Sequence, residues 1–236
     1  MAIDIPDTSL STNDIRILNA LFDPETLPSA ARSKDASEID SSLPAHPTIS
    51  SSQVSKLEAQ QNDLVRRVNS ASSVVEIEDA LKQEDAIAKV WPEYPSVYIN
   101  LAMLHRMKLE TLLTESQTVF SAPEIEVQGL FDDLSQAIKS CGLASSTSQV
   151  SPYQARILRT AFSHRAYLYL KASETGVEWD GKSKSELEEL ASTDFAAAAR
   201  YGDEVAREMS VRTNPYAKMC GAIVKNALRE ERALKR

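Results

Sequence analysis

The sequence predicts an all-α protein built as a solenoid of helical hairpins. Three observations favour this class: long runs rich in Ala, Leu, Glu and Lys, a total of only six glycines, and a weak internal repeat of helical spacing. No alternating apolar run of strand length competes with the helical pattern. We therefore expect three helical-hairpin repeats with insertions, followed by a C-terminal capping helix.

Composition excludes several classes of protein. The 236 residues carry 26 Lys and Arg against 34 Asp and Glu, and the net charge of −8 argues against nucleic acid as a partner. The N-terminus lacks the basic-then-apolar pattern of a secretory signal, and no stretch reaches the roughly 20 apolar residues that a bilayer crossing needs. We expect a monomer in the cytoplasm, and also in the nucleus, with no membrane partner.

The first element is a short amphipathic helix over residues 1–23. Ser11 is a suitable N-cap with Asp14 three residues later, and Pro24 ends the pattern. Its apolar side chains recur on one face: Ile15, Leu18, Leu21 and Phe22. A helix this short is marginal alone, so we expect the stripe to dock on the main body or on a partner.

Residues 24–52 form the second element, which we expect to be a disordered linker. This stretch carries four prolines and eight serines, and its apolar residues follow neither helical nor strand spacing. The helical pattern begins near Gln53 and continues to the C-terminus.

Residues 53–213 are predicted to hold three repeats, at about 60–93, 94–142 and 152–203. The first helix of each repeat should carry large and small side chains at fixed spacing, as in the tetratricopeptide pattern. The second repeat has Tyr98, Leu101, Ala102 and His105 at these positions, and the third has Phe162, Arg165, Ala166 and Tyr169. The first repeat, placed 34 residues before the second at Leu64, has a degenerate first helix.

The second helices of repeats two and three follow insertions. Leu130, Leu134 and Ala137 have the expected spacing for repeat two, and Ala191, Phe195 and Ala198 have it for repeat three, but both sets come later than the pattern allows. We expect residues 178–184 to be an exposed loop. A capping helix over 214–236 should cover the open end of the stack with Tyr216, Met219, Ile223 and Ala227.

Several segments resemble a known family. They are "NDIRILNALFDPET", "DALKQEDAIAKVWPEYPSVYINLA", "FDDLSQAIKSCG" and "DFAAAARYGDEVAREMSVRTNPYAKMC", with Asn214–Ala217 as the most specific mark. The chain resembles the tetratricopeptide repeat protein 36 family and is expected to be a member from a lower eukaryote. The resemblance implies three repeats, no enzymatic activity and a role as an adaptor or co-chaperone. It also implies an Hsp70-type chaperone or a client enzyme as partner, and a link to tyrosine metabolism.

Adaptors of this architecture bind a peptide or helix on the concave face that their first helices line. Spacing from the key residues gives the candidate protein-binding groove: Asn62, Arg66, Asn69, Ser96, Asn100, Met103, Arg159, Thr160, His164 and Tyr167. This surface is mixed and rich in amides.

A carboxylate clamp for chaperone tails is only partly present in the sequence. Asn69 and Asn100 match its two amide positions, but Thr160 and His164 replace cations, and Arg159 lies one residue away from a cation position. Partial substitution by Arg159 and a protonated His164 stays open.

Two other functions are alternatives to the groove-binding adaptor. One is a stabilising subunit that docks on a larger assembly through its N-terminal helix, and the remote one is a small-molecule enzyme. We expect neither a cofactor nor a metal, because His46, His105 and His164 lie far apart and no Cys joins them at ligand spacing. Cys141 and Cys220 are predicted to be buried small apolar groups.

Overall fold

The computed structural model describes residues 39–69, 71–114, 116–142 and 149–234. The predicted helix over 1–23 and the first part of the predicted linker lie outside this range. Eight α-helices follow one another along the described chain: α1 Ser51–Val65, α2 Val74–Val90, α3 Pro95–Leu112, α4 Glu124–Ser140, α5 Pro152–Thr175, α6 Lys184–Arg200, α7 Glu204–Thr213 and α8 Pro215–Leu234.

The described residues confirm the all-α class. They contain no β-strand, only two isolated bridges, Ile39 with Val150 and Trp179 with Lys182. From α2 to α7, each helix packs mainly against its neighbours in sequence, and the pairs α3/α4 and α5/α6 are in close contact along their lengths. This order is compatible with a helical-repeat solenoid.

Local capping chemistry sets the starts of these helices. The hydroxyls of Ser73, Ser151 and Ser183 each accept a hydrogen bond from a backbone N–H three residues later, and a Glu or Gln at that position bonds back to the serine. Asn214 caps α8 in a related way, because its Oδ1 accepts from the backbone N–H groups of Tyr216 and Ala217. Such caps satisfy donors that a helix start would otherwise leave unpaired.

The first repeat is not arranged as the sequence predicted. The first helix expected from Leu64 onward is absent, because α1 ends at Val65 and a loop leads to α2. In this loop Asn69 Oδ1 accepts from the Ala71 N–H at 2.8 Å, and the Ser72 hydroxyl accepts from the Asn69 N–H at 3.1 Å. These local bonds offer the backbone an alternative to the helix.

The predicted disordered linker is ordered from residue 39 onward. His46 is buried, with Nε2 donating to the Glu93 carbonyl at 2.9 Å and Nδ1 accepting from the Ile49 N–H at 3.2 Å. The Ser151 hydroxyl donates to the Ala45 carbonyl at 3.2 Å. The prediction of disorder is therefore wrong for residues 39–52, because long-range hydrogen bonds and the burial of Ile49 tie this segment to the starts of α3 and α5.

The two insertions pack against each other. The first, between α3 and α4, contains a 3₁₀ turn at Val119–Ser121, and the second joins α5 to α6. Phe120 of the first insertion meets Trp179 of the second with ring centroids 5.6 Å apart, and Trp179 stacks on Phe131 at 5.3 Å. The expectation of an exposed loop over 178–184 is wrong for Trp179, which is buried by these rings.

Helix α8 is present, but its apolar stripe does not cover the end of the stack. Tyr216, Met219 and Ile223 are 60%, 54% and 61% exposed, and the side chain of Ala227 lies outside the described set. Cys220 is also exposed, contrary to the prediction, whereas Cys141 is buried. No helix in the described part of the chain has the length and apolar content that a bilayer span requires.

Candidate functional site

The predicted groove residues fall into three groups. Those of the first repeat lie apart from the rest: Asn62 and Arg66 are exposed at the end of α1, and Asn69 is in the loop that follows. Helix α3 carries Ser96, Asn100 and Met103, and helix α5 carries Arg159, Thr160, His164 and Tyr167. The structure brings only the α3 and α5 groups together.

Asn100 is engaged inside the protein. Its Nδ2 donates to Glu84 Oε1 at 3.0 Å, and Gln61 Nε2 donates to Glu84 Oε2 at 2.8 Å. Burial raises the pKa of the Glu84 carboxyl, and the two amide hydrogen bonds oppose that shift. Because Asn69 is bonded within the loop after α1 and Asn100 is bonded to an acid, neither amide is presented as the carboxylate clamp requires.

The chain itself covers the starts of α3 and α5. Tyr94 and Tyr153, which stand at these starts, are buried and stack with ring centroids 6.4 Å apart. Helix α1 reaches α5 through the ion pair of Glu58 with Arg156. Residues 39–58 therefore cover the starts of α3 and α5, and the later turns of these two helices remain open.

Those later turns form an open surface, which we call the α3/α5 surface and define by Met103, Arg106, Glu110, Tyr167 and Lys171. Met103 is 44% exposed and Tyr167 is 39% exposed. The Arg106 guanidinium lies 5.3 Å from the centre of the Tyr167 ring and donates to Glu110 Oε1 at 2.7 Å. Lys171 Nζ lies 5.6 Å from the same ring. Apolar side chains and two cations are thus presented side by side.

His164 lies beneath this surface and links the two helices. Its Nε2 is 3.3 Å from Arg106 Nη1, and its buried Nδ1 has no hydrogen-bond partner among the residues that the structure describes. Burial, with a smaller contribution from the Arg106 charge, lowers the pKa of His164 to about 4. The imidazole is neutral at pH 7, so it accepts from Arg106 and does not replace a clamp cation.

A cleft of about 450 Å³ adjoins the surface, between the ends of α3 and α5 and the first insertion. Its volume lies within the usual range for binding pockets. Leu113, Val119, Phe120 and Leu168 supply its apolar lining, and its polar lining includes Glu110, Tyr167 and Lys171. Since Phe120 also packs on Trp179, both insertions support this cleft.

Sequence reasoning missed Arg106, Glu110, Lys171 and the cleft. The first three follow predicted groove residues at helical spacing on the same helix: Arg106 and Glu110 are three and seven positions after Met103, and Lys171 is four positions after Tyr167. Extending the groove pattern by one or two turns would have found them. The contribution of Phe120 has no such signal, because it comes from an insertion outside the repeat.

Of the remaining predicted residues, Thr160 is exposed and its hydroxyl donates to the Arg156 carbonyl at 3.0 Å. Arg159 is exposed, and Ser96 is half-buried at the covered start of α3. His105 Nδ1 contacts Asp133 Oδ2 at 2.8 Å within the α3/α4 pair, where burial raises the pKa of Asp133 and the bond to His105 opposes it. The three histidines thus stand in three separate surroundings.

Comparison with known proteins places the chain among its relatives. It is 39% identical over 241 residues to the L-tyrosine degradation gene cluster protein hmgX of Aspergillus fumigatus, covering 94% of this chain and 93% of the relative. It is 23% identical over 220 residues to Tetratricopeptide repeat protein 36 of Xenopus tropicalis, covering 93% and 88%. The second similarity supports a tetratricopeptide-like relationship at most. No family model and no solved structure matches the chain. On the identity and coverage of the first relative, the chain belongs to the family of the L-tyrosine degradation gene cluster protein hmgX.

Proposed function

We propose that this protein is a non-catalytic adaptor of the tetratricopeptide type, which binds a polypeptide segment of an enzyme of L-tyrosine degradation in the cytoplasm or nucleus. The observation that carries this proposal is the α3/α5 surface, where Met103 and Tyr167 are exposed, Arg106 lies over the Tyr167 ring, and Tyr167 lines the cleft. The pathway is taken from the name of the relative that is 39% identical to this chain.

The chemistry of the surface favours a polypeptide over a reaction. Met, aromatic and Arg side chains are enriched at protein interfaces. Most of the binding energy of an interface comes from a few well-packed side chains from which water is excluded. The cleft lies within reach of Tyr167 and would accept one apolar side chain of the bound segment. The acidic partners of Arg106 and Lys171 are Glu110 and Glu174, and these partly exposed ion pairs are weak enough to exchange for an acidic residue of a partner.

Capture of a chaperone tail is not part of the proposal. The Asn100 amide is bonded to Glu84, and the neutral His164 carries no charge to offer a carboxylate. We therefore expect an acidic chaperone-tail peptide to bind negligibly to the wild type and to the Asn100→Ala variant alike.

The test measures direct binding of the purified protein to each purified enzyme of L-tyrosine degradation by biolayer interferometry. We expect one enzyme to bind, and the Met103→Ala and Tyr167→Ala variants each to weaken the Kd about tenfold or more, as interface anchors do. The matched control is Ile125→Ala, which truncates an exposed apolar side chain on α4. Absence of binding to every enzyme contradicts the proposal, and so does equal weakening by all three substitutions.

A further inference from the structure

Helix α8 presents an apolar face that nothing in the described part of the chain covers. Tyr216, Met219 and Ile223 recur at helical spacing and are all more than half exposed, and Cys220 lies among them. We call these four residues the α8 stripe. The helix is attached on its other side, where Lys218 Nζ lies 3.0 Å from Glu188 Oε2 of α6. A contiguous exposed apolar stripe of this kind marks a contact surface.

The same chain carries a second apolar stripe that needs a partner. Residues 11–23 have Ile15, Leu18 and Phe22 at positions i, i+3 and i+7, which places them on one face of a helix. A segment of this length is too short to be a stable helix without packing against another surface. We propose that residues 11–23 dock on the α8 stripe of the same molecule.

Charge favours this occupant over a second copy of α8. Residues 1–23 contain four Asp and one Arg, which gives a net charge of −3. Residues 214–236 contain six Lys and Arg and two Glu, which gives +4. The N-terminal segment is therefore attracted to α8, whereas two copies of α8 would bring like charges together.

The connecting chain is long enough for this contact. Residue 39 is fixed beside Val150, just before the start of α5. Helix α5 has 24 residues and is about 36 Å long. Helix α6 runs back along α5 from the C-terminal end of α5, and Glu188, which contacts α8, lies near the start of α6. Residues 24–38 span up to about 50 Å when extended. The connecting segment is thus long enough to span the distance to α8.

Docking within one molecule also has a concentration advantage. The composition of residues 24–38 predicts a flexible linker, and a flexible tether of about this length gives an effective concentration in the millimolar range, well above that of a second molecule in solution. The contact is separate from the α3/α5 surface, so the N-terminal segment and a partner on that surface would bind independently. The inference does not rest on the proposed function.

Cys220 makes the contact measurable, because it lies within the α8 stripe and the chain's other cysteine is buried. Full-length protein is alkylated with iodoacetamide, and the labelling rate of each cysteine is followed by mass spectrometry of its peptide. We compare the wild type with Leu18→Asp, which places a charge in the N-terminal stripe. The matched control is Asn13→Asp, which adds the same charge on the opposite face of residues 11–23.

We expect Leu18→Asp to raise the labelling rate of Cys220 about tenfold. This factor corresponds to an N-terminal segment whose Kd for the α8 stripe is about a tenth of its effective concentration. Asn13→Asp should leave the rate near that of the wild type. Cys141 should stay unreactive in all three proteins, which shows that the helical stack is intact. Equal Cys220 rates in the wild type and Leu18→Asp would overturn the inference. Protection that grows with protein concentration would overturn it too, because the cover would then be a second copy.

Discussion

The buried His164 should make the stability of this protein depend on pH in a defined window. In the folded state burial and the nearby Arg106 charge lower its pKa to about 4, whereas the ordinary value is 6.5. Above pH 6.5 the imidazole is neutral in both the folded and the unfolded chain. Between pH 6.5 and 4 the unfolded chain takes up the proton and the folded chain does not, so the free energy of unfolding falls as the pH falls.

The size of the effect follows from the two pKa values. Each pH unit in this window removes about 1.4 kcal/mol, and the whole window removes about 3 kcal/mol. This is a large part of the stability of an ordinary domain. Other buried groups act in the opposite direction: burial raises the pKa of Glu84, Asp133 and Asp194, so their contributions to stability increase as the pH falls.

A substitution separates His164 from these carboxyl groups. Urea unfolding of the wild type and the His164→Gln variant is measured from pH 7.5 to pH 4.5, and the two free energies of unfolding are subtracted at each pH. The carboxyl contributions cancel in this difference. We expect the wild type to lose about 2 kcal/mol or more relative to His164→Gln between pH 6.5 and pH 4.5. Two parallel curves would refute the account of a buried neutral imidazole.

Three further predictions concern the stability of other buried polar groups. Arg165 donates two hydrogen bonds to the buried Asp194 at 2.7 and 2.9 Å. Asp194→Ala should therefore lower the free energy of unfolding, measured in urea, by about 3–5 kcal/mol. The double variant Asp194→Ala/Arg165→Met should lose less than the sum of the losses of the two single variants. His46→Ala removes the bonds that hold residues 39–50, and should speed amide hydrogen exchange at Ile49 while exchange in α6 stays the same. Glu84→Gln removes a desolvated carboxyl, and its free energy of unfolding at pH 7.5 should equal or exceed that of the wild type; a loss above about 2 kcal/mol would mean that the charge itself is needed.

Elements with local signals could be predicted from the sequence. The starts of α5 and α6 follow from Ser151 and Ser183, whose hydroxyls bond to backbone groups only three residues away. The length of α3 follows from apolar spacing that continues past Met107. Such contacts depend on a few neighbouring residues, so their pattern is visible in a single sequence.

Elements set by distant contacts could not be predicted in this way. The first repeat is predicted from Leu64, which lies 34 residues before Tyr98, but hydrogen bonds within the loop at Asn69 favour a turn where the first helix was expected. Composition predicted disorder around His46, whose partner Glu93 is 47 positions away. The predicted groove residue Asn100 is engaged in a hydrogen bond to Glu84. The spacing of the repeat does not predict this pairing.

The positions of the two insertions bear on the proposed binding surface. A repeat array needs neither insertion for its packing, because Leu130 and Phe195 occupy their buried repeat positions regardless of the added residues. Both insertions nevertheless meet at the same place, where Phe120 and Trp179 pack together behind the cleft at the ends of α3 and α5. The opposite ends of these helices are closed by residues 39–58. The added residues therefore form a wall at the end of the α3/α5 pair that the described chain leaves open. This coincidence favours the α3/α5 surface as the binding site in the proposed function.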